Sequence, residues 1–165
     1  MTLHKTDTKT LLKKRKDYIF PTKIPYYQDP ICLRKAEGAR IWDEKGHEYI
    51  DLIGGIVSIS VGHNHPRIVQ KTKEMLEEKA IQHTSFLYLS GYMEDLAEKL
   101  AEVAPGDLNK CYFTNSGSEA NEVAVMAARA SSKDLVVVAL RHGYHGGTSV
   151  PLNLCGHSNW RYYKQ

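Results

Sequence analysis

Residues whose types and spacing suit chemistry are concentrated in one run, Cys111-Tyr112-Phe113-Thr114-Asn115-Ser116-Gly117-Ser118-Glu119-Ala120-Asn121-Glu122. Cys111 to Thr114 reads as a short strand, Asn115 to Ser118 as a tight polar turn, and the chain from about Glu119 as a helix. Ala120, Val123, Ala124 and Ala127 fall at i, i+3, i+4 and i+7, the spacing of a core-facing stripe. The first N–H groups of such a helix have no intrahelical partner and sit at the positive end of its dipole. Gly117 lets an anion approach the backbone closely, and the Ser116 and Ser118 hydroxyls can donate further hydrogen bonds. The same residues also suit an ordinary helix cap, so Ser-Gly-Ser by itself leaves both readings open.

The local spacing removes several other phosphate and nucleophile motifs. No lysine follows Gly117, as a Walker A loop requires, and the turn has one glycine where a dinucleotide fingerprint needs three. Neither Ser116 nor Ser118 is flanked as in Gly-x-Ser-x-Gly. His63-Asn64-His65 offers two metal-ligand types, but no third ligand at suitable spacing accompanies them, and Pro66 suits the first position of a helix. We therefore expect a turn there and no metal.

The elements that must position the cradle follow from pattern. Residues 134–140 contain Leu-Val-Val-Val-Ala-Leu, a run of buried-strand type. A helix between two such strands indicates a βαβ crossover, hence a largely parallel sheet, with ligands bound beyond the strands' carboxyl ends. Both the Ser116–Ser118 turn and Tyr144 would lie there. Upstream, Ala39–Asp43 and His47–Asp51 alternate around Glu44-Lys45-Gly46 and predict a hairpin. Helices are expected over 66–79 and over 91–103, the latter with Leu96, Leu100 and Val103 facing a core and ended by Pro105-Gly106. Residues 1 to about 17 predict a mobile arm or frayed helix. Pro21, Pro25 and Pro30 predict an extended lead-in over 20–30. Ile56 and Val57, after Gly54-Gly55, belong to a partly apolar segment.

The longer string Asn115-Ser-Gly-Ser-Glu-Ala-Asn-Glu122 resembles the phosphate-binding segment of class III aminotransferases, pyridoxal-phosphate enzymes of fold type I. Arg141-His-Gly-Tyr-His-Gly-Gly-Thr148 resembles that family's second cofactor segment, and 38–43, 46–51 and 62–66 resemble its N-terminal signatures, in the same order. The resemblance covers the chain from about residue 25. Asp51 to His63 and His83-Thr84-Ser85 look most like the alanine–glyoxylate aminotransferase 2 branch.

The resemblance implies an α/β fold. A small N-terminal α+β segment (25–80, after an arm over 1–24) precedes the start of a mainly parallel-sheet cofactor domain (81–165). It implies pyridoxal 5'-phosphate as cofactor, held by Ser116, Gly117 and Ser118. Tyr144 lies on the ring, His145 acts behind it, and Glu119 and Asn121 brace the turn. It also implies that Ile56 and Val57 shape the substrate pocket, although taken alone each suits small-domain core at least as well. It implies transfer of an amino group from an amino acid or amine to an oxo acid such as glyoxylate or pyruvate, in a homodimer. A racemase, mutase or decarboxylase on the same cofactor, or a non-catalytic binding fragment, stays open. None of the fifteen lysines matches the family's Schiff-base motif, and the aspartate for the pyridine nitrogen is also expected outside this chain, so we expect a fragment without catalytic residues.

Composition sets looser bounds. A net charge of +3, 42% hydrophobic and 25% charged residues are those of an ordinary globular protein. Lys13-Lys14-Arg15-Lys16 reads as a solvated run, so neither nucleic acid nor membrane is expected as a partner. Asp7 and Asp17 and the lack of an apolar h-region argue against a leader. Three separated cysteines indicate a reducing compartment. We expect a cytoplasmic protein, with a mitochondrial location as the alternative.

Overall fold

The computed structural model describes residues 6–21, 27–85, 87–132 and 136–161. The chain divides into two units, Met1–His83 and Thr84–Gln165.

In the first unit, helix α1 (Thr8–Tyr18) begins at Asp7, whose carboxylate accepts from Thr10 N at 3.0 Å and Thr10 Oγ1 at 2.8 Å. Of the expected mobile arm or frayed helix, Thr8–Tyr18 is helical. Its start is tied to the hairpin, because Thr8 donates through N (3.0 Å) and Oγ1 (2.6 Å) to the Glu44 carboxylate. The expected extended lead-in lies partly outside the described residues, at 22–26.

The sheet is antiparallel, in the order β1 (Leu33–Glu37), β2 (Arg40–Asp43), β3 (Glu48–Ile50). Trp42 pairs with Lys35 and with Glu48, and Lys35 Nζ lies 4.3 Å from the Trp42 ring centroid. The β2–β3 turn is organised by Asp43, which accepts from Lys45 N (2.8 Å), His47 N (2.9 Å) and Tyr49 Oη (3.1 Å), with His47 Nδ1 at 3.0 Å. Burial opposes ionisation of Asp43, yet the hydrogen bonds from His47, Lys45 and Tyr49 hold its pKa at about 2. Asp51 is also held below the usual carboxylate range, first by His63 and then by the Gly54 and Ile53 N–H groups. A carboxylate whose pKa is lower folded than unfolded stabilises above its unfolded value and loses that contribution as pH falls through the folded one. Denaturation midpoints should therefore drop between about pH 4 and pH 2, and Asp43→Asn should flatten that slope.

Gly54–Val57 (α2) is one helical turn of the wrong hand: Gly54, Gly55, Ile56 and Val57 all have φ between 54° and 63°. Ile and Val avoid this region because the branched Cβ crowds the carbonyl, at roughly 1–2 kcal/mol per residue. The turn is held from outside. Asp51 Oδ1 accepts from Ile53 N (3.0 Å) and Gly54 N (2.9 Å), and Asp51 Oδ2 meets His63 Nε2 at 2.8 Å. His63 in turn pairs its backbone with Gly38, while Gly62 approaches the Gly38 backbone so closely that a Cβ would lie 3.0 Å from Gly38 Cα. Val57→Asn, which tolerates this conformation, should stabilise the unit by about 1 kcal/mol; an unchanged or lowered denaturation midpoint would show that no strain resides there.

Helix α3 (Pro66–Glu77) starts on its proline. In the second unit, α4 (Tyr92–Val103) ends before Pro105-Gly106, and α5 (Gly117–Ser131) is followed by α6 (Ser149–Leu154) and a 3-10 turn η1 (Ser158–Trp160). Among the described residues the buried ones are Gly146, Pro151, Leu152 and Cys155.

Two local expectations fail. Residues 111–114 and 136–140 join no ladder, so the described residues contain no parallel strand pair, and 133–135 lie outside them. β-Branched sequence supplies propensity but not partners, and a parallel strand exists only with neighbours on its edges and layers on its faces. Val136, Val138 and Leu140 are 85%, 93% and 76% exposed, so the face they share is uncovered. The stripes are open as well, with Leu96, Leu100 and Val103 of α4 exposed and only Val123 half-buried among the four stripe positions of α5.

Candidate functional site: a helix N-terminus joined to an aromatic platform

Helix α5 begins two residues before the expected Glu119, because Ser116 is the residue that caps it. Ser116 is the N-cap, with φ −155° and ψ 160°, and its Oγ accepts from Glu119 N at 3.2 Å. Glu119 reaches back, its Oε2 accepting from Asn115 N at 2.7 Å. This is a capping box whose return bond lands one residue upstream of the usual place. The Gly117 and Ser118 N–H groups have no partner among the described residues. A Cβ on Gly117 would meet nothing within 4 Å. Ser116 Oγ is occupied as an acceptor, and so is Ser118 Oγ, which receives Gly147 N at 3.0 Å. Each keeps its hydroxyl hydrogen to donate.

The second segment is laid directly on this turn. Gly146 has φ +133°, and a Cβ there would lie 2.6 Å from Ser118 Oγ and 2.9 Å from Ser118 Cα. Only a glycine allows that approach. Asn121 Nδ2 donates to His145 O at 2.7 Å, which places Asn121 as a brace between the segments. From below, the buried Cys155 (1% exposed) accepts from His145 N at 3.3 Å, and its thiol hydrogen is directed between the Pro151 and Gly146 carbonyls at 3.3 and 3.5 Å. Gly156 N donates to Gly143 O at 3.0 Å, and a Cβ on Gly156 would overlap the Arg141 carbonyl.

Tyr144 stands 58% exposed on this loop. Its ring meets Trp160 edge-on at 5.1 Å and 79°, and Trp160 meets His157 edge-on at 5.0 Å. Edge contacts of this kind fix a ring's tilt while leaving it open to stacking. The His145 ring folds back over Gly143, with Nε2 buried and unpartnered among the described residues. It does not point at the cradle. The structure thus gathers Ser116, Gly117, Ser118, Tyr144 and His145 in one unit. Ile56 and Val57 belong to the other, 85% and 81% exposed on the left-handed turn. His63 is engaged by Asp51, and the described residues contain no group of three or more His, Cys, Asp or Glu placed to hold a metal.

Sequence reasoning missed Trp160, Cys155 and Glu122. Ser118, Asn121 and Glu122 at i, i+3 and i+4 form a polar face on α5, and that periodicity was the available signal.

The first turn of α5 and the loop that carries Tyr144 are joined through Gly146, Gly147 and Asn121. The aminotransferase class-III family model matches residues 24–163, and the chain belongs to that family. It is 36% identical over 152 residues to alanine–glyoxylate aminotransferase 2 homolog 2, mitochondrial, of Arabidopsis thaliana, covering 92% of this chain and 31% of that protein. It is 43% identical over 123 residues to acetylornithine aminotransferase of Methanopyrus kandleri, covering 74% and 31%. Among solved structures it superposes on taurine:2-oxoglutarate aminotransferase of Bifidobacterium kashiwanohense, in complex with PLP and glutamate. The TM-score is 0.78 at 25% identity, covering 96% of this chain and 35% of that one. The chain spans about a third of the length of the relatives it matches. Its fold is accordingly the α/β fold of the pyridoxal-phosphate transaminases, and pyridoxal phosphate is the family's cofactor. No helix among the described residues is long and apolar enough to cross a membrane.

Proposed function

We propose that this chain carries the phosphate cradle and ring platform of a PLP-dependent transaminase. The complete protein would move an amino group from an amino acid or amine to an oxo acid such as glyoxylate or pyruvate. The observation that carries this reading is the pair of unpartnered Gly117 and Ser118 amides under the Gly146 approach. The donor set suits a phosphate dianion: two convergent amides at a helix N-terminus, two hydroxyl hydrogens, and no carboxylate of its own aimed into the space, because Glu119 is turned back to Asn115.

When bound, pyridoxal phosphate supplies the electron sink for amino-group chemistry. The protein's part is holding and orientation. Gly117 and Ser118 donate to phosphate oxygens, with Ser116 and Ser118 hydroxyls as supplements. Tyr144, tilted by Trp160, covers one ring face and excludes water from it. His145 acts through the loop that carries Tyr144. Ile56 and Val57, held on a strained turn of the kind that recurs at ligand sites, shape the substrate pocket. The lysine that carries the cofactor and the aspartate for the ring nitrogen are assigned to sequence outside these 165 residues, and a homodimer buries the apolar surface left open here. Cytoplasm is the favoured compartment; a mitochondrial relative keeps the alternative.

Incubation with pyridoxal phosphate, borohydride and an alanine–glyoxylate pair tests this division of labour. Reversible, phosphate-dependent binding without a fixed lysine adduct or turnover is expected. A stoichiometric adduct on one lysine with turnover would refute the assignment of the lysine elsewhere, and absence of binding would refute the cofactor reading. The second reading, a non-catalytic binding segment, is favoured by the unmatched lysines; an open reading frame containing neither lysine nor aspartate in family context would select it.

A further inference from the structure

The bonds across α5 and the 145–150 loop assign a role to a residue that touches neither cradle nor platform. We propose that Glu122 is a positioning residue that fixes the Tyr144 loop to the cradle by capping a second helix in trans, an inference that rests on the cofactor reading above. Helix α6 starts at Thr148, a residue type that normally caps its own helix through its hydroxyl. Here Thr148 makes no side-chain cap bond. Its Oγ1 instead donates to Glu122 Oε2 at 2.7 Å, and the same carboxylate oxygen accepts from Val150 N at 3.3 Å. Glu122 therefore accepts the N–H that a local cap would have satisfied, and it places a negative charge at the positive end of α6.

The consequence for the site follows from what α6 carries. It delivers Pro151 and Leu152 to the buried centre and ends at Cys155, whose sulfur receives His145 N beside Tyr144. Ser118, Asn121 and Glu122 are successive contacts of one α5 face with Gly147, His145 and Thr148–Val150. Ser118 and Asn121 hold the near end of the loop, and Glu122 holds the far end. Without the far anchor, Tyr144 keeps its attachment to the cradle but loses its fixed tilt. Phosphate holding and ring orientation should then separate.

Hydrogen exchange and cofactor-induced circular dichroism on the full chain test the assignment, with E122A, E122Q and wild type compared. In E122A, the Val150 amide should exchange about tenfold faster or more while Ala124–Ala128 keep their protection. The induced circular dichroism of bound pyridoxal phosphate should fall by about half or more at saturation, with the ratio of its affinity to that of pyridoxal within about twofold of wild type. E122Q retains an oxygen acceptor and should recover most of both signals. Unchanged exchange, or a dichroism change that E122Q does not recover, overturns the proposal. Should E122A lose protection throughout α5, T148V against E122Q carries the same comparison, because T148V removes one of the two bonds and spares Val150. A wild-type chain without any cofactor signal would refute the cofactor reading instead; Val150 exchange in E122A then decides the clamp, faster supporting it and unchanged rejecting it.

Discussion

Gly146→Ala is expected to unseat the ring platform from the cradle, lowering the stability of the second unit by about 2 kcal/mol or more and abolishing measurable pyridoxal-phosphate binding. Two separate costs combine at this position. A φ of +133° lies where L side chains are strained, and the new Cβ would sit 2.6 Å from Ser118 Oγ and 2.9 Å from Ser118 Cα. The opposing atoms cannot easily yield. Ser118 belongs to the first turn of α5, which is fixed by Ser116 on Glu119 N and by Glu119 on Asn115 N. Gly147→Ala is the matched control, since a Cβ there meets only Tyr144 Oη, at an ordinary 3.9 Å. Denaturant midpoints and cofactor titration read both effects. A Gly146→Ala chain that melts and binds like Gly147→Ala would show that the close approach is not needed.

Gly117→Pro separates the cradle from the helix that makes it. Gly117 is the first helical residue, where proline is tolerated because that N–H has no intrahelical acceptor. Ser116, at φ −155° and ψ 160°, already has the extended conformation required before proline. Stability should be unchanged or slightly raised, through reduced freedom of the unfolded chain. Affinity for pyridoxal phosphate should fall by about 10- to 100-fold, the loss of one hydrogen bond to a charged group worth roughly 1.5–3 kcal/mol. Pyridoxal, which lacks the phosphate, should bind both proteins alike. Retained affinity with retained fold would show that the Gly117 amide does not face the anion.

Much of the site was readable because it is local. Pro66 specifies α3, Glu44-Lys45-Gly46 between alternating runs specifies the β2–β3 hairpin, and Ser-Gly-Ser specifies a helix start to within two residues, since either serine could cap and Ser116 does. Strand β1 was not readable, because Leu33-Arg-Lys-Ala-Glu37 lacks the β-branched pattern and forms only by pairing with β2. Residues 136–140 failed in the opposite sense, having the propensity without a partner. The left-handed turn at Gly54–Val57 contradicts local preference at Ile56 and Val57, and its cause, Asp51 with His63, sits across the loop. The trans cap by Glu122 spans 26 residues to Thr148, so the polar face of α5 shows in the sequence while its partner does not.

In the proposed function, the Gly117 and Ser118 amides receive the phosphate of a ring resting on Tyr144. Amide and aromatic NMR spectra of the isotope-labelled chain, titrated in parallel with pyridoxal phosphate and with pyridoxal, test it most directly. The Gly117 and Ser118 signals should move with the phosphorylated compound alone, and the Tyr144 ring signals with both. Amide signals that stay in place at saturation, or that respond equally to the two compounds, would contradict it.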